Sequence, residues 1–186
     1  MGVGTLIIFI AILIVAAVAA GSFIQVSSSL QQNALKTGSQ VRLQLTSSVF
    51  VLNVNGQNGN TGALENFTVL ARITTGSDPI NLSTLLIRLQ LTNASVEYHF
   101  SGNASYTVNA SNQNGTFGIE YPQTGANYKY GALAKGDLVE FTFQSPRKIV
   151  RDEDVALRFN PSSGMTTTTK FSLPSVITMK VVTLYP

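Results

Sequence analysis

From Val3 to Val26 the chain reads VGTLIIFIAILIVAAVAAGSFIQV, and no ionisable side chain occurs before Lys36. A helix rises about 1.5 Å per residue, so this run is long enough to cross the roughly 30 Å hydrocarbon core of a bilayer. A cleaved secretory signal starts with basic residues and has a shorter apolar stretch with a cleavage site. Here no Lys or Arg precedes the run, which continues without proline into SSSLQQNALKTG, with Leu30, Ala34 and Leu35 apolar. The pattern predicts one retained helix of about 35 residues, with Lys36 in the last turn and Gly38 as the cap.

Beyond Gly38 the apolar period changes to two, the spacing of a half-buried strand. Val41, Leu43 and Leu45 share a face, as do Phe67, Val69, Ala71 and Ile73. The alternation recurs at Leu85, Ile87, Leu89 and Leu91, then at Val96, Tyr98 and Phe100. It returns at Val139, Phe141 and Phe143, at Val155, Leu157 and Phe159, and at Ile177, Met179 and Val181. Turn signals separate the runs at Asn55-Gly56, Asn58-Gly59, Gly76-Ser77-Asp78-Pro79, Asn114-Gly115, Gly136-Asp137 and Ser163-Gly164. Short strands with one apolar face and frequent turns predict an antiparallel β-sandwich, Ig-like in build. The α+β reading is therefore a hydrophobic helix over 1–38 and an outer sandwich over 39–186. The stretch from Ser101 to Gly131 is the least patterned and reads as long surface loops.

Composition narrows the function. Charged residues make up 11 % of the chain, below the roughly 25 % of soluble domains, so Ser, Thr, Asn and Gln carry the solubility. The net charge is +3, with basic residues scattered and without interleaved aromatics, which gives nucleic-acid binding no support. There is no cysteine, hence no disulfide and no thiolate metal site.

The start, Gly2-Val3-Gly4-Thr5-Leu6-Ile7-Ile8-Phe9-Ile10-Ala11, then Val15 to Gly21, Leu30-Gln31-Gln32 and Thr37-Gly38, resembles the N-terminal segment of an archaellin, the archaeal flagellin. The ending, Pro174-Ser175 followed by Leu184-Tyr185-Pro186, is similar to that family's last strand. The resemblance implies a subunit of the extracellular filament used for swimming, with the helix in the filament core and the sandwich outside. It implies a helical homopolymer as partner, a membrane-inserted pool before assembly, and a basal motor and assembly machinery. It also implies a prepilin-type peptidase that removes a basic leader from the precursor, so that the numbering here is expected to be that of the mature chain. Bacterial type IV pilins carry a glutamate at the fifth mature position, where this chain has Thr5. Archaeal adhesion pilins share a similar helix and form the alternative reading.

The helix residues fit that role on physical grounds. A helix apolar on every side must be surrounded by lipid or by protein. Ala16 and Ala20, and Ala17 and Gly21, are spaced four apart, as in small-residue faces that let helices approach closely. Leu6, Phe9, Leu13 and Phe23 are the large residues that fill gaps between neighbours. Each such side chain removed from water contributes roughly 1.5–3 kcal/mol. Transfer from lipid to a protein core gains no such term, because lipid is as apolar as leucine.

Six N-x-S/T sequons without proline begin at Asn66, Asn81, Asn93, Asn103, Asn109 and Asn114, and predict N-linked glycans on an extracytoplasmic surface. No cofactor is expected. The cluster Arg147, Lys148, Arg151, Asp152, Glu153 and Asp154 reads as a solvated hairpin, as an ion-pair contact between subunits, or as oxygen ligands to a hard cation without a defined motif. An enzyme lacks support: His99, the sole histidine, alternates onto the face opposite Val96, Tyr98 and Phe100, and there is no nucleophile elbow or zinc His pair. A membrane-anchored solute- or sugar-binding domain is a further alternative, with Tyr106, Tyr121, Tyr128 and Tyr130 as stacking candidates.

Overall fold

A computed structural model describes residues 2–57, 62–102, 108–109 and 114–186, with backbone alone at 43, 45–46, 108–109 and 114. The chain divides into two compact units, Met1–Arg42 and Leu43–Pro186. Helix α1 runs over Gly2–Thr46, eight residues beyond the expected end at Gly38. The alternation at Val41, Leu43 and Leu45 is therefore helical and not a strand. A glycine inside a helix costs only about 1 kcal/mol, so Gly38 does not by itself stop α1. Hydroxyls within the apolar stretch are satisfied locally. Thr5 Oγ1 donates to the Gly2 carbonyl (2.9 Å) and Ser22 Oγ to that of Val18 (3.0 Å).

The second unit is built from β1 (Val49–Gln57), β2 (Leu64–Ile73), β3 (Ile80–Asn81), β4 (Leu86–Gln90), β5 (Ser95–Phe100) and β6 (Val108–Asn109). It continues with β7 (Asn114–Gln123), β8 (Ala132–Leu133), β9 (Leu138–Ile149), β10 (Asp154–Asn160), β11 (Thr167–Ser172) and β12 (Val181–Tyr185). The main ladder runs β11-β10-β4-β5-β7-β9-β2-β1-β12. It folds over on itself at β7. The first half of that strand pairs with β5, from Asn114 opposite Glu97 to Phe117 opposite Phe100. Its second half pairs with β9, from Gly118 opposite Thr142. Two layers result, and they pack face to face through aromatic rings. Phe141 meets Phe159 at 5.5 Å between centroids, Tyr98 meets Phe143 at 4.9 Å, and Phe67 meets Phe171 at 6.4 Å. Such aromatic pairs add about 0.5–1.5 kcal/mol each beyond the area they bury.

The Tyr98 hydroxyl donates across the layers to the Gln144 carbonyl (2.6 Å), and burial pushes its pKa well up. The open side of the sandwich is laced by Met165 N–H on the Ser47 carbonyl and Thr167 Oγ1 on that of Val49, each at 2.7 Å. All the ladders are antiparallel except β5 with β7. A parallel neighbour needs a connection that carries the chain back along the sheet, and residues 101–113 lie between those two strands.

Most alternating faces are in the core, including Phe67, Val69, Ala71, Ile87, Leu89, Val139, Phe141, Phe143, Leu157 and Phe159. Four expectations are corrected. Asn114-Gly115 opens β7, opposite Glu97 and Tyr98 of β5, rather than forming a turn. Asn55-Gly56 lies inside β1 rather than at a turn, and a Cβ at Gly56 would run into the Leu64 side chain. Met179 and Val181 are exposed, and the last strand begins only at Val181. Residues 101–131 contain β7, whose Phe117 and Ile119 are buried; its core positions lie between glycines and a proline, which hides the period. The turn expected at Asn58-Gly59 lies outside the described residues.

Candidate functional site

The chain's largest unsatisfied feature is the apolar surface of α1. Leu6, Phe9, Leu13 and Phe23 are 58 %, 60 %, 52 % and 77 % exposed. Together with Ala16 and Ala20 they recur at alternating spacings of three and four, the seam of a helix that packs along a partner helix. Ala17 and Gly21 flank this seam and are exposed as well. Nothing within 4 Å would meet a Cβ at Gly21 or Gly4, so the chain itself does not require glycine there.

Beside this seam, and sharing Ala16 with it, Ile8, Ala11, Ile12, Val15 and Ala19 line a shallow and almost wholly apolar groove. Ile8, Ile12 and Val15 stand outside the packing residues that the sequence pattern singles out. Their signal was present as a second stripe, hidden because the helix is apolar all round. A ridge of Leu and Phe on one side and an Ala-floored groove on another suit helices packed ridge into groove. Of the described helices α1 alone is long and apolar enough to cross a membrane.

On the sandwich, Asn81 at the end of β3 and Asn93 between β4 and β5 are exposed. Asn81 Oδ1 accepts from Ser83 N–H (3.0 Å) and Ser83 Oγ (2.7 Å), which fixes the sequon in a tight turn. Asn66 is half-buried in β2, between β1 and β9, with its Oδ1 shielded and without a hydrogen-bond partner. Asn103 and the side chains of Asn109 and Asn114 lie outside the described residues.

The charged cluster is largely engaged within the chain. Arg147 grips the buried Glu153 carboxylate with both guanidinium ends, one at 2.9 Å, and the Thr92 N–H adds 3.3 Å. Burial alone pushes the Glu153 carboxyl up, but these bonds and the Arg147 charge outweigh it and hold it below the usual range. Lys148 pairs with Glu65 at 3.1 Å. Among the described residues no three His, Cys, Asp or Glu side chains converge to hold a metal ion. His99 is exposed on β5, and its strand neighbour Glu97 pairs with Arg88 on β4. The tyrosines form a packed cluster, with Tyr121 against Tyr128 at 4.9 Å. The Tyr121 hydroxyl donates to the Ala132 carbonyl (2.8 Å) and accepts from Gly131 N–H (3.1 Å). Burial pushes it up to about 12. Tyr106 lies outside the described residues.

A long helix that is apolar on all sides, followed by an aromatic-cored sandwich, is the build of a subunit whose core helix is completed by neighbours. The profile of the archaeal-type flagellin family matches residues 1–171, and the chain belongs to that family. Flagellin B1 of Methanocaldococcus jannaschii is 29 % identical across 99 % of this chain and 94 % of its own length. Flagellin B1 of Methanococcus voltae is 33 % identical across 98 % and 93 %. Flagellin B1 of Thermoplasma volcanium is 35 % identical across 68 % of this chain, which spans only about half (53 %) of that relative. The fold is like that of the archaeal flagellum of Methanospirillum hungatei, with a TM-score of 0.72 at 17 % identity, covering 98 % of this chain and 99 % of that one. It is also like the crystal structure of archaeal flagellin FlaB1 from M. jannaschii, with 0.63 at 18 %, covering 74 % and 96 %.

Proposed function

We propose that this chain is the structural subunit of an extracellular archaellum filament that drives swimming. The observation that carries the reading is α1, whose large apolar side chains stand exposed with no intrachain core to enter. Water is a poor environment for such a surface; neighbouring copies of the same helix complete it. Copies meet ridge to groove, a heterologous contact that repeats into an open helical polymer. Before assembly the helix resides in the membrane, where its apolar surface is equally well solvated. The step from lipid to filament is then decided by packing, and an energy-driven basal machinery supplies its direction. A prepilin-type peptidase processes the precursor in this reading, and the motor rotates the finished filament. The chain's work is mechanical rather than enzymatic. Family membership favours swimming over the adhesion-pilin and anchored-binding alternatives.

N-linked glycans on at least three of the six sequons belong to the proposal, with exposed Asn81 and Asn93 the best presented. Hydrated sugar covers a surface poor in charge. Intact mass of native filaments tests this, and a bare polypeptide mass would end it. Deleting the gene tests the main reading: cells are expected to lose filaments and swimming while keeping surface attachment. Retained swimming with lost attachment would transfer the chain to the adhesion class.

A further inference from the structure

Strand register places a like-charge pair directly opposed on each outer face of the sandwich. On one face Arg88 of β4 is opposite Arg158 of β10. On the other, Glu120 of β7 is opposite Glu140 of β9. Like charges held opposite across a ladder are destabilising, so neither pair serves the isolated chain. Arg88 is neutralised by Glu97. Arg158 and Lys170 are exposed, and among the described residues they enter no ion pair. They border a groove in which the short Ala156 lies opposite both Gln90 and Lys170, with Asp154 and Ser172 at one end.

The acidic face is the complement. Glu120 is exposed and Glu140 half-buried, and neither enters an ion pair among the described residues. Burial, and then the Glu120 charge, hold the Glu140 carboxyl above its ordinary value, the mark of an anion short of counter-charge. Of the cations on this side of the sheet, Arg72 lies over the Phe50 ring at 5.4 Å and Lys148, further along β9, pairs with Glu65 at 3.1 Å. The two charged patches are on opposite layers, so one copy cannot satisfy itself.

We propose that the β4–β10–β11 face of one copy docks on the β7–β9 face of the next, with Arg158 and Lys170 meeting Glu120 and Glu140. The contact is heterologous and therefore compatible with a repeating filament. It rests on the self-assembly reading above and adds to it a second, electrostatic interface outside the helix core.

The test uses the full-length chain, assembled from detergent. The readout is the concentration of chain left unpelleted. R158E/K170E alone and E120K/E140K alone are each expected to raise that concentration about tenfold, equivalent to about 1.4 kcal/mol. The combined four-fold variant, which swaps the signs, is expected to return close to wild type. The milder E120Q/E140Q should relieve repulsion within the chain, leaving its thermal unfolding midpoint unchanged or raised while still weakening assembly. High salt is expected to shrink the wild-type advantage, since screening acts within about 10 Å at 0.1 M. If the charge-reversed chains assemble like wild type, or the four-fold variant stays as impaired as its parents, the docking is overturned. If the wild-type chain itself forms no filament, it is the self-assembly reading that fails.

Discussion

The two units of this chain place their apolar residues in opposite ways. In the sandwich, Phe67, Phe117, Phe141, Phe143 and Phe159 are fully buried against one another. In α1, Leu6, Ile7, Ile8 and Phe9 stand about three-fifths exposed. The same side-chain chemistry thus completes a fold in one unit and demands a partner in the other. A buried core stabilises the chain that owns it; an exposed apolar helix is stabilised only by apolar surroundings, lipid or protein. One polypeptide so combines a unit with its own buried core and a helix without one.

The sharpest way to break that contrast is to separate the units. The chain from Leu43 onward is expected to remain soluble, unfold cooperatively and lose filament formation entirely. Ordered filaments from the truncated chain, seen by electron microscopy, would place assembly in the sandwich instead. The next largest effect should come from the core. Phe141→Ala removes a ring shared with Phe117 and Phe159 and is expected to cost about 3–5 kcal/mol in denaturant unfolding. Membrane insertion of the helix should be untouched.

Ala17→Leu and Gly21→Leu make the reverse test. Neither should change unfolding of the sandwich, and a Cβ at 21 meets nothing in the chain. Each overpacked helix contact should cost about 1–3 kcal/mol, repeated along the filament, so assembly falls while insertion into lipid is kept. Normal filaments from both variants would show that these positions do not touch a neighbour.

Smaller still is Arg147→Ala, which leaves the Glu153 carboxylate buried without its cation. Because the Arg147 side chain is about one-third exposed (35 %), a loss of about 1–2 kcal/mol is expected rather than the full cost of a buried pair. Acid sharpens the point. A carboxyl whose folded pKa is lowered gives stability that is present above its unfolded value, about 4.3, and lost as pH falls through the folded one. Wild type should lose that increment below about pH 4, and Arg147→Ala should show a flatter acid limb in thermal unfolding. An unchanged limb would mean that the pair carries no net stability.

Much of this was legible along the chain because it depends on near neighbours. Composition and period alone set the long apolar helix, the small residues Ala16, Ala17, Ala20 and Gly21, and the alternating core faces of β2, β4, β9 and β10. Each reports burial through residues two to four apart. The helix end was misread, since Val41, Leu43 and Leu45 alternate and still continue α1 to Thr46; six residues do not separate the two periods. Strand β7 was hidden as well, because its role as the link between layers lies in its partners, β5 on one side and β9 on the other.

What only the tertiary structure decided is whatever needs register. That Arg88 faces Arg158, that Glu120 faces Glu140, and that Arg147 closes on Glu153 beside Thr92 follow from pairings and packing set by the folded sheet. Apolar periodicity is a short-range property written into the chain, whereas the opposition of two charges 20 or 70 residues apart (120 and 140, 88 and 158) exists only once strands have chosen partners. That choice is made by the whole core at once, since a slip of one residue would turn every buried side chain outward.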